Sequence, residues 1–523
     1  MKKLSLRMFA MVLAAILVLA GVPAAFAEGG EKVVTLAATA SWLSLDPMSW
    51  HTKDAQVAFS YPVFDGLVDV TAQGEIVPRL LCSWEQSEDG ATVIGKVDPN
   101  AYWHDGEKVT AHDIVFTFEL FTNPEVECER ITNIGGTDAA GVLIEGEELG
   151  VKALDDETVE FTMNGATTII NFFYNMRYSC IVPEHLLKDI PAASVLTDEF
   201  WEHPVGSGAF KFDSYISGER MEYVANDDYY KGRPDFDRLI IRVIPSNNIL
   251  SAIMSGEVDS TVYGSLMTYT DYELAKLDSS LTTYEAPGFA NQHIIINNSK
   301  YDTDVRRAFD MAINKQAIID DLLMGYARVA ISAIVPENPY RLEGIEGNPY
   351  DPEAAKALLA EAGWDESQKL LLITQPDPAN TNIAVMLQQM LAEVGVQIEI
   401  QTYDMATLSS MMFAGEYDLA LMGSASNPFE PSESRFYFVP YPEGWNCITD
   451  TSWRDLYDAS LASYVFEERK VCYDELQERL VAEVPMIFLF HKDVLFVSSS
   501  RLGNLPYSDF SLKSWRYDEW TVE

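Results

Sequence analysis

Tyr102-Trp103-His104-Asp105-Gly106-Glu107-Lys108-Val109-Thr110-Ala111-His112-Asp113-Ile114-Val115-Phe116-Thr117-Phe118-Glu119 is the stretch from which the rest of the chain can be read. Asp105-Gly106 supplies the left-handed turn of a tight hairpin, because glycine has no Cβ to clash. Thr110 is then placed to cap a helix, and Asp113 three residues on completes a capping box. Ile114, Phe118 and Phe121 recur at i, i+4 and i+7, so the aromatic run forms one helical face rather than a strand. The local reading is a turn, a cap and a buried helix.

Upstream, residues 1–27 carry a basic start (Lys2, Lys3, Arg7), an apolar stretch from Met8 to Ala20 and the small-x-small signal Ala25-Phe26-Ala27. That pattern is a secretory signal peptide. Leu19-Ala20-Gly21 would open a lipoprotein box if a cysteine followed, but Val22 stands there, so no lipid anchor is expected. No later apolar run approaches the roughly 20 residues of a membrane helix; Pro485 to Phe490 is typical of the longest. The expected location is periplasmic or secreted, with no membrane span.

Removing the signal leaves 523 − 27 = 496 residues and a net charge of (36 − 3) − 80 = −47. Such length allows two to four domains at about 150 residues each, and such charge repels nucleic acid and anionic lipid. Cys82, Cys128, Cys180, Cys447 and Cys472 form no C-x-x-C; Cys82 and Cys472 sit among apolar neighbours and read as small hydrophobes. A Cys128–Cys180 disulfide is compatible with export, but nothing in the spacing supports it.

Val33 to Ala38 reads as a strand, with Thr39 to Pro47 a loop leaving it. From Asn291 the pattern becomes a separate α/β unit. Helices are expected over Asp304 to Ala312 and Lys315 to Met324, with a third opening at Asp351-Pro352 and stopping at Gly363. Then come strand 369–375, helix 382–394, strand 396–400, a short helix ending near Gly415 and strand 417–422. This alternation argues for a largely parallel sheet covered on both faces. In such sheets ligands lie beyond the carboxyl ends of the strands, which singles out Gly423-Ser424-Ala425-Ser426-Asn427-Pro428-Phe429-Glu430 as a small-residue loop open to a ligand.

Several stretches occur in an order that resembles solute-binding family 5, the oligopeptide, dipeptide and nickel-type binding proteins of ABC importers. The opening stretch is similar to its "FHDG, then T-A-x-D-V-x-F" segment, and Ser44-Leu45-Asp46-Pro47 to its "LDP" entry. Val63-Phe64-Asp65-Gly66-Leu67-Val68, Ile76 to Trp84, Gly206 to Phe212, Asn226 to Gly232 and Met254-Ser255-Gly256-Glu257-Val258-Asp259 follow in family order. The resemblance implies a two-lobed α/β Venus-flytrap fold with a hinge between the lobes. Lobe I would comprise 28–60, 195–289 and 491–523, with an extra domain, 61–194, inserted in it, and lobe II 290–490. The crossings would fall near Pro287-Gly288 and near His491.

The resemblance further implies a substrate-binding component that captures an oligopeptide or related polar solute, closes on it and delivers it to the transmembrane permease subunits. The binding protein itself would be monomeric. Ligand candidates are Ser41 and Trp42 after the first strand, Tyr263, Asn291, Trp445, and Gly423, Ser424, Ala425, Ser426 and Asn427 of the loop. Peptide-binding members carry a "G-W-x-x-D-Y-x-x-P"-like loop there, whose aspartate holds the peptide ammonium. Here Ser424 replaces the tryptophan and Asn427 the aspartate. An amide does not neutralise a buried ammonium, which puts the usual free-amine binding mode in question and keeps an oligosaccharide receptor as the alternative.

Catalysis finds no support in the motifs. His104 and His112 are not at a ligand spacing, there is no H-E-x-x-H and no G-x-S-x-G, and Gly206-Ser207-Gly208 lacks the rest of a nucleotide fingerprint. No enzyme activity, metal or cofactor is expected. A secreted hydrolase and a sensory receptor on this fold are the alternatives from other classes.

Overall fold

At the tip of the opening hairpin Gly106 takes φ 96°, and the Trp103 N–H donates to the Glu107 carbonyl at 2.8 Å. The helix Ala111–Thr122 follows, with Asp113 Oδ2 accepting the Thr110 N–H at 2.8 Å. Its second oxygen accepts the Glu184 N–H at 2.9 Å, so one buried carboxylate caps two helices, the other being Glu184–Leu187. Ile114, Phe118 and Phe121 are buried as their spacing requires, each contributing roughly 1.5–3 kcal/mol by leaving water.

The computed structural model describes residues 30–523 except 41–43, 49–57, 72–73, 127, 129–130, 177–178, 426, 432–437, 439–443 and 506–515. The signal-peptide and lipid-box readings fall outside the described residues. Among those residues no helix is long and apolar enough to cross a membrane.

Two large sheets organise the chain. The seven-stranded sheet runs in the order Leu281–Ala286, Val494–Ser499, Ser260–Thr261, Val33–Ala38, Arg238–Val243, Arg220–Ala225, Phe210–Ile216. The six-stranded sheet runs Ala327–Val329, Met486–Lys492, Ala290–Ile296, Leu419–Ala425, Lys369–Thr374, Gln397–Thr402. Alternate residues of its strands feed two cores. Ile294, Ile296 and Leu372 face one, and Ile295, Ile373 and Ala420 the other, so both faces are covered. A four-stranded antiparallel sheet drawn from residues 81–162 shares one continuous core with the seven-stranded half, from Val34 through Phe161 to Trp520.

The expectation of a largely parallel sheet is corrected. Three of the five pairings in the six-stranded sheet are antiparallel. Ala290–Ile296 enters from the other half and Met486–Lys492 returns to it across the same edge, so neighbouring strands must run in opposite directions. Hydrophobic alternation carries no information about direction. The reading of Cys82 as a small hydrophobe also needs amendment: its side chain is exposed, at a bulge between Leu81 and Ser83, and none of the five cysteines stands in a disulfide among the described residues.

The chain passes between the large sheets at residues 287–289 and again at Asp493. The return lies at Asp493, past His491, because the strand continues through Lys492. These crossings touch: a Cβ on Gly288 would lie 1.8 Å from the Lys492 carbonyl oxygen. Arg328 binds both, donating to the Gly288 carbonyl at 2.9 Å and pairing with Asp493 at 3.1 Å.

Candidate functional site

The edge of the six-stranded sheet that faces the seven-stranded half is where Ala290–Ile296 begins and Leu419–Ala425 ends. Ala290, Asn291 and Gln292 pair with Ala425, Ser424 and Gly423. Gly423, Ser424 and Ala425 are therefore strand residues, three positions beyond the expected strand end. Small side chains at an exposed strand terminus leave the backbone accessible there.

Two expected site residues meet directly. Asn291 Nδ2 donates to Ser424 Oγ at 3.2 Å, and Asn291 Oδ1 lies 2.7 Å from His293 Nδ1. An amide oxygen only accepts, so the imidazole proton sits on Nδ1. Burial pushes the His293 pKa down to about 3, and His491, on the adjoining strand, is held at about 3 by burial and by Arg328 and Arg341. Both rings are neutral, so this edge offers dipoles rather than charge.

Asn427 is buried and does something other than face a ligand with its oxygen. Its Oδ1 accepts the N–H groups of Phe429 at 2.9 Å and Glu430 at 3.1 Å, and its carbonyl accepts from Asn338. Its Nδ2 is buried without a hydrogen-bond partner among the described residues. This side-chain turn directs Phe429 and Glu430 toward opposite neighbours. The Phe429 ring packs over Gly74 in residues 61–194, within a cluster formed by Val70, Tyr174, Phe289 and Val335. Glu430 is fully buried in a two-pronged pair with Arg469 Nη1 and Nη2, and Thr168 Oγ1 of the 61–194 segment donates to it at 3.5 Å. The one acid among the described residues of that loop is thus neutralised.

Tyr263, half-buried, lies across the crossings on the seven-stranded side; Gly264 packs beneath Val494 and Phe496, and Ser265 N–H donates to the Leu495 carbonyl at 2.7 Å. Trp445 is not brought to this edge. Its carbonyl accepts from Tyr417, before the start of Leu419–Ala425, and the neighbouring Asn446 carbonyl accepts from Asn298, beyond the end of Ala290–Ile296. That is the opposite end of the sheet. Ser41, Trp42 and Ser426 lie outside the described residues.

Sequence reasoning missed Glu430, Arg469 and Arg341. Arg469 leaves a trace, because it occupies the apolar stripe of Phe466–Glu483 with Tyr473, Leu476 and Leu480. A cation on a core face needs a buried anion. Arg341 is half-buried and donates to Ser332 Oγ at 3.0 Å and the Ile334 carbonyl at 3.3 Å, with no carboxylate partner among the described residues. Burial holds its pKa below the usual guanidinium value. The described residues contain no cluster that could hold a metal ion.

Comparison with known proteins agrees with this geometry. The family model of bacterial extracellular solute-binding proteins, family 5 (middle), matches residues 75–444. A Brucella melitensis protein bearing the name of a peptide-binding protein of an ABC transporter is 30% identical over 456 residues, 83% of this chain and 82% of that one. The dipeptide-binding protein of Escherichia coli is 26% identical over 462 residues, 84% of this chain and 85% of that one. The structure of the oligopeptide-binding protein AppA from Bacillus subtilis with a nonapeptide superposes with a TM-score of 0.74 at 21% identity, over 94% of this chain and 99% of that one. At that identity it is the fold that is shared.

Proposed function

We propose, since the chain belongs to family 5 of the bacterial extracellular solute-binding proteins, that it is the receptor of an ABC importer for an oligopeptide or a related polar solute. The observation that carries this reading is the pair of adjoining crossings between two rigid sheets, with the exposed Gly423–Ala425 edge beside them. Lobe I would be 28–60, 195–289 and 491–523 with the 61–194 insertion, and lobe II 290–490. A solute touching both lobes binds the closed form more tightly and shifts the population toward it, and the membrane permease receives it from there.

Relatives named for peptide binding support the peptide class. So does Arg341, whose guanidinium meets only neutral oxygens among the described residues and could receive a terminal carboxylate. The described residues of the loop offer no free acid for an ammonium group, so the solute is oriented by its carboxylate and backbone. The signal at 1–27 would export the chain, which would act as an unanchored monomer. Binding with closure requires no covalent chemistry.

Thermal unfolding in the presence of peptides, oligosaccharides and nickel chelates tests the proposal. A solute at roughly 100 times its Kd adds about 2.7 kcal/mol of stability. Stabilisation by peptides is the expected result; none from any class removes the transport reading, and stabilisation by sugars alone replaces the peptide.

A further inference from the structure

Behind the two crossings the halves exchange a pair of tyrosines. Helix Lys315–Leu323 ends on Met324 and Gly325, both in left-handed backbone at φ 54° and 90°, a conformation that carries a steric cost for a non-glycine residue. The reversal delivers Tyr326 to the start of the edge strand Ala327–Val329, where its carbonyl accepts the N–H of the crossing residue Asp493 at 3.2 Å. Its ring enters the core of the other half, buried with Ala37, Ile253, Tyr272, Leu495 and Val497. In return Tyr269, which opens helix Tyr269–Ala275 of the seven-stranded half, packs against the cores of both halves. The two rings stack at 5.8 Å with planes 8° apart, and Tyr272 meets the Tyr326 ring edge-on at 5.4 Å. The Tyr326 hydroxyl donates to Glu273 and accepts from Lys276 Nζ at 3.1 Å, and that ammonium lies 5.6 Å from the centre of the Tyr326 ring.

Position gives this clasp its consequence. Ala327 pairs with Lys492, and the sheet order places the crossing strands Met486–Lys492 and Ala290–Ile296 between Tyr326 and the Gly423 end of Leu419–Ala425. On that far side the halves also touch: Phe429 packs over Gly74, Thr168 donates to Glu430, and the Tyr464 hydroxyl donates to the Glu88 carbonyl. The clasp is thus formed in an arrangement where the halves meet on both sides of the crossings. Tyr326 is tied to Asp493 through its backbone, while its hydroxyl, a full side chain away, is bonded to the other half. A swing of one half against the other carries that hydroxyl along an arc, and a hydrogen bond tolerates little change of length or angle.

We infer that Tyr326, Tyr269 and Lys276 are positioning residues for solute capture: they form a clasp that favours the closed arrangement, and so raise solute affinity from the side of the crossings away from the Gly423 edge. The inference rests on the receptor reading above. A clasp made at one swing angle adds its free energy to that arrangement alone, and apparent affinity rises with the fraction of chains already competent to bind.

The test uses the full chain with Tyr326→Phe, which keeps the ring and removes the hydroxyl. Lys276→Met, at an exposed position, stands in if the first variant does not fold. Small-angle scattering reads the separation of the halves, and calorimetry reads binding of a pool of side-chain-randomised octapeptides. Both variants should bind the pool about tenfold more weakly, the effect of losing one hydrogen bond to a charged group. Their radius of gyration should exceed the parent's without peptide and return to the parent's value at saturating peptide. A merely structural role would lower the melting temperature and leave radius and affinity alone, and that result overturns the clasp. Tighter binding with a smaller radius overturns it too, since the tyrosines would then prop the halves apart. If the pool does not bind the parent, the peptide reading fails by itself, and the unliganded radii decide the clasp: equal radii in parent and variants reject it.

Discussion

Each half of the molecule buries one arginine among acids, and the two arrangements differ in their count. Among the described residues of the six-stranded half, the carboxylate that Arg469 meets is Glu430, with Tyr473 OH bridging them at 3.2 and 3.3 Å. In the seven-stranded half, Arg79 pairs with Asp69 at 2.6 Å and Asp518 at 3.0 Å, while Asp65 stands beside it, held by Tyr229 and Tyr230. One cation among three carboxylates leaves an excess, which a proton can relieve. Burial, with Arg79 opposing and Asp518 adding, pushes Asp65 up to about 7. A matched pair is a fixed brace; an outnumbered cation makes a joint that responds to pH.

The largest expected effect is from breaking the matched pair. Arg469→Met removes the guanidinium that holds both Glu430 oxygens and should cost about 3–5 kcal/mol in denaturant unfolding, whereas Glu430→Met with Arg469→Met should cost much less. A single variant as stable as the double would mean that the pair braces nothing.

Next comes pH. The folded state holds the Asp65 proton from the ordinary value of 3.8 up to about 7, so this group's stabilising contribution is complete below 3.8 and is lost as pH rises through 7. The slope reaches about 1.4 kcal/mol per pH unit. His293 and His491, both near 3, act oppositely, their contribution being lost as pH falls from 6.5 toward 3. The comparison to make is therefore the parent chain against Asp65→Asn between pH 5 and 8. The variant should lose the downward slope, and parallel curves would refute the excess-carboxylate account.

The smallest effect sharpens the contrast. At pH 6, Tyr473→Phe removes a hydrogen bond to a carboxylate, worth about 1.5–3 kcal/mol, while Tyr230→Phe removes one to a mostly protonated acid, worth about 0.5–1.5 kcal/mol. Equal losses would show that the two acids carry the same charge.

Local elements of this fold were legible in the sequence, since each is written within a few residues. Val33–Ala38, the Asn314 cap of Lys315–Leu323 and Pro352–Glu361 match the reading to within a residue or two. Helix Pro378–Glu393 begins four residues before the expected start, because Asp377 caps it and Pro378 occupies its first turn. What stayed hidden depends on distant partners. Arg79 and Asp518 lie 439 positions apart, and the direction of Ala290–Ile296 is decided by a return strand nearly 200 residues later. At the site, the strand pattern puts Gly423 and Ser424 in a loop leaving strand 417–422, whereas pairing with Ala290, Asn291 and Gln292 carries the strand on through Ala425. The inward role of Asn427 was not legible either, since an Asn that forms a turn and one that faces a ligand have the same sequence.

The shortness of the two links, residues 287–289 and Asp493, limits how the halves can rearrange. Straps of this length, side by side and tied by one guanidinium, permit swing but oppose sliding, so the accessible shapes should fall along a single angular coordinate. Distances measured between labels on the two halves would then collapse onto one variable, and any two of them would predict a third.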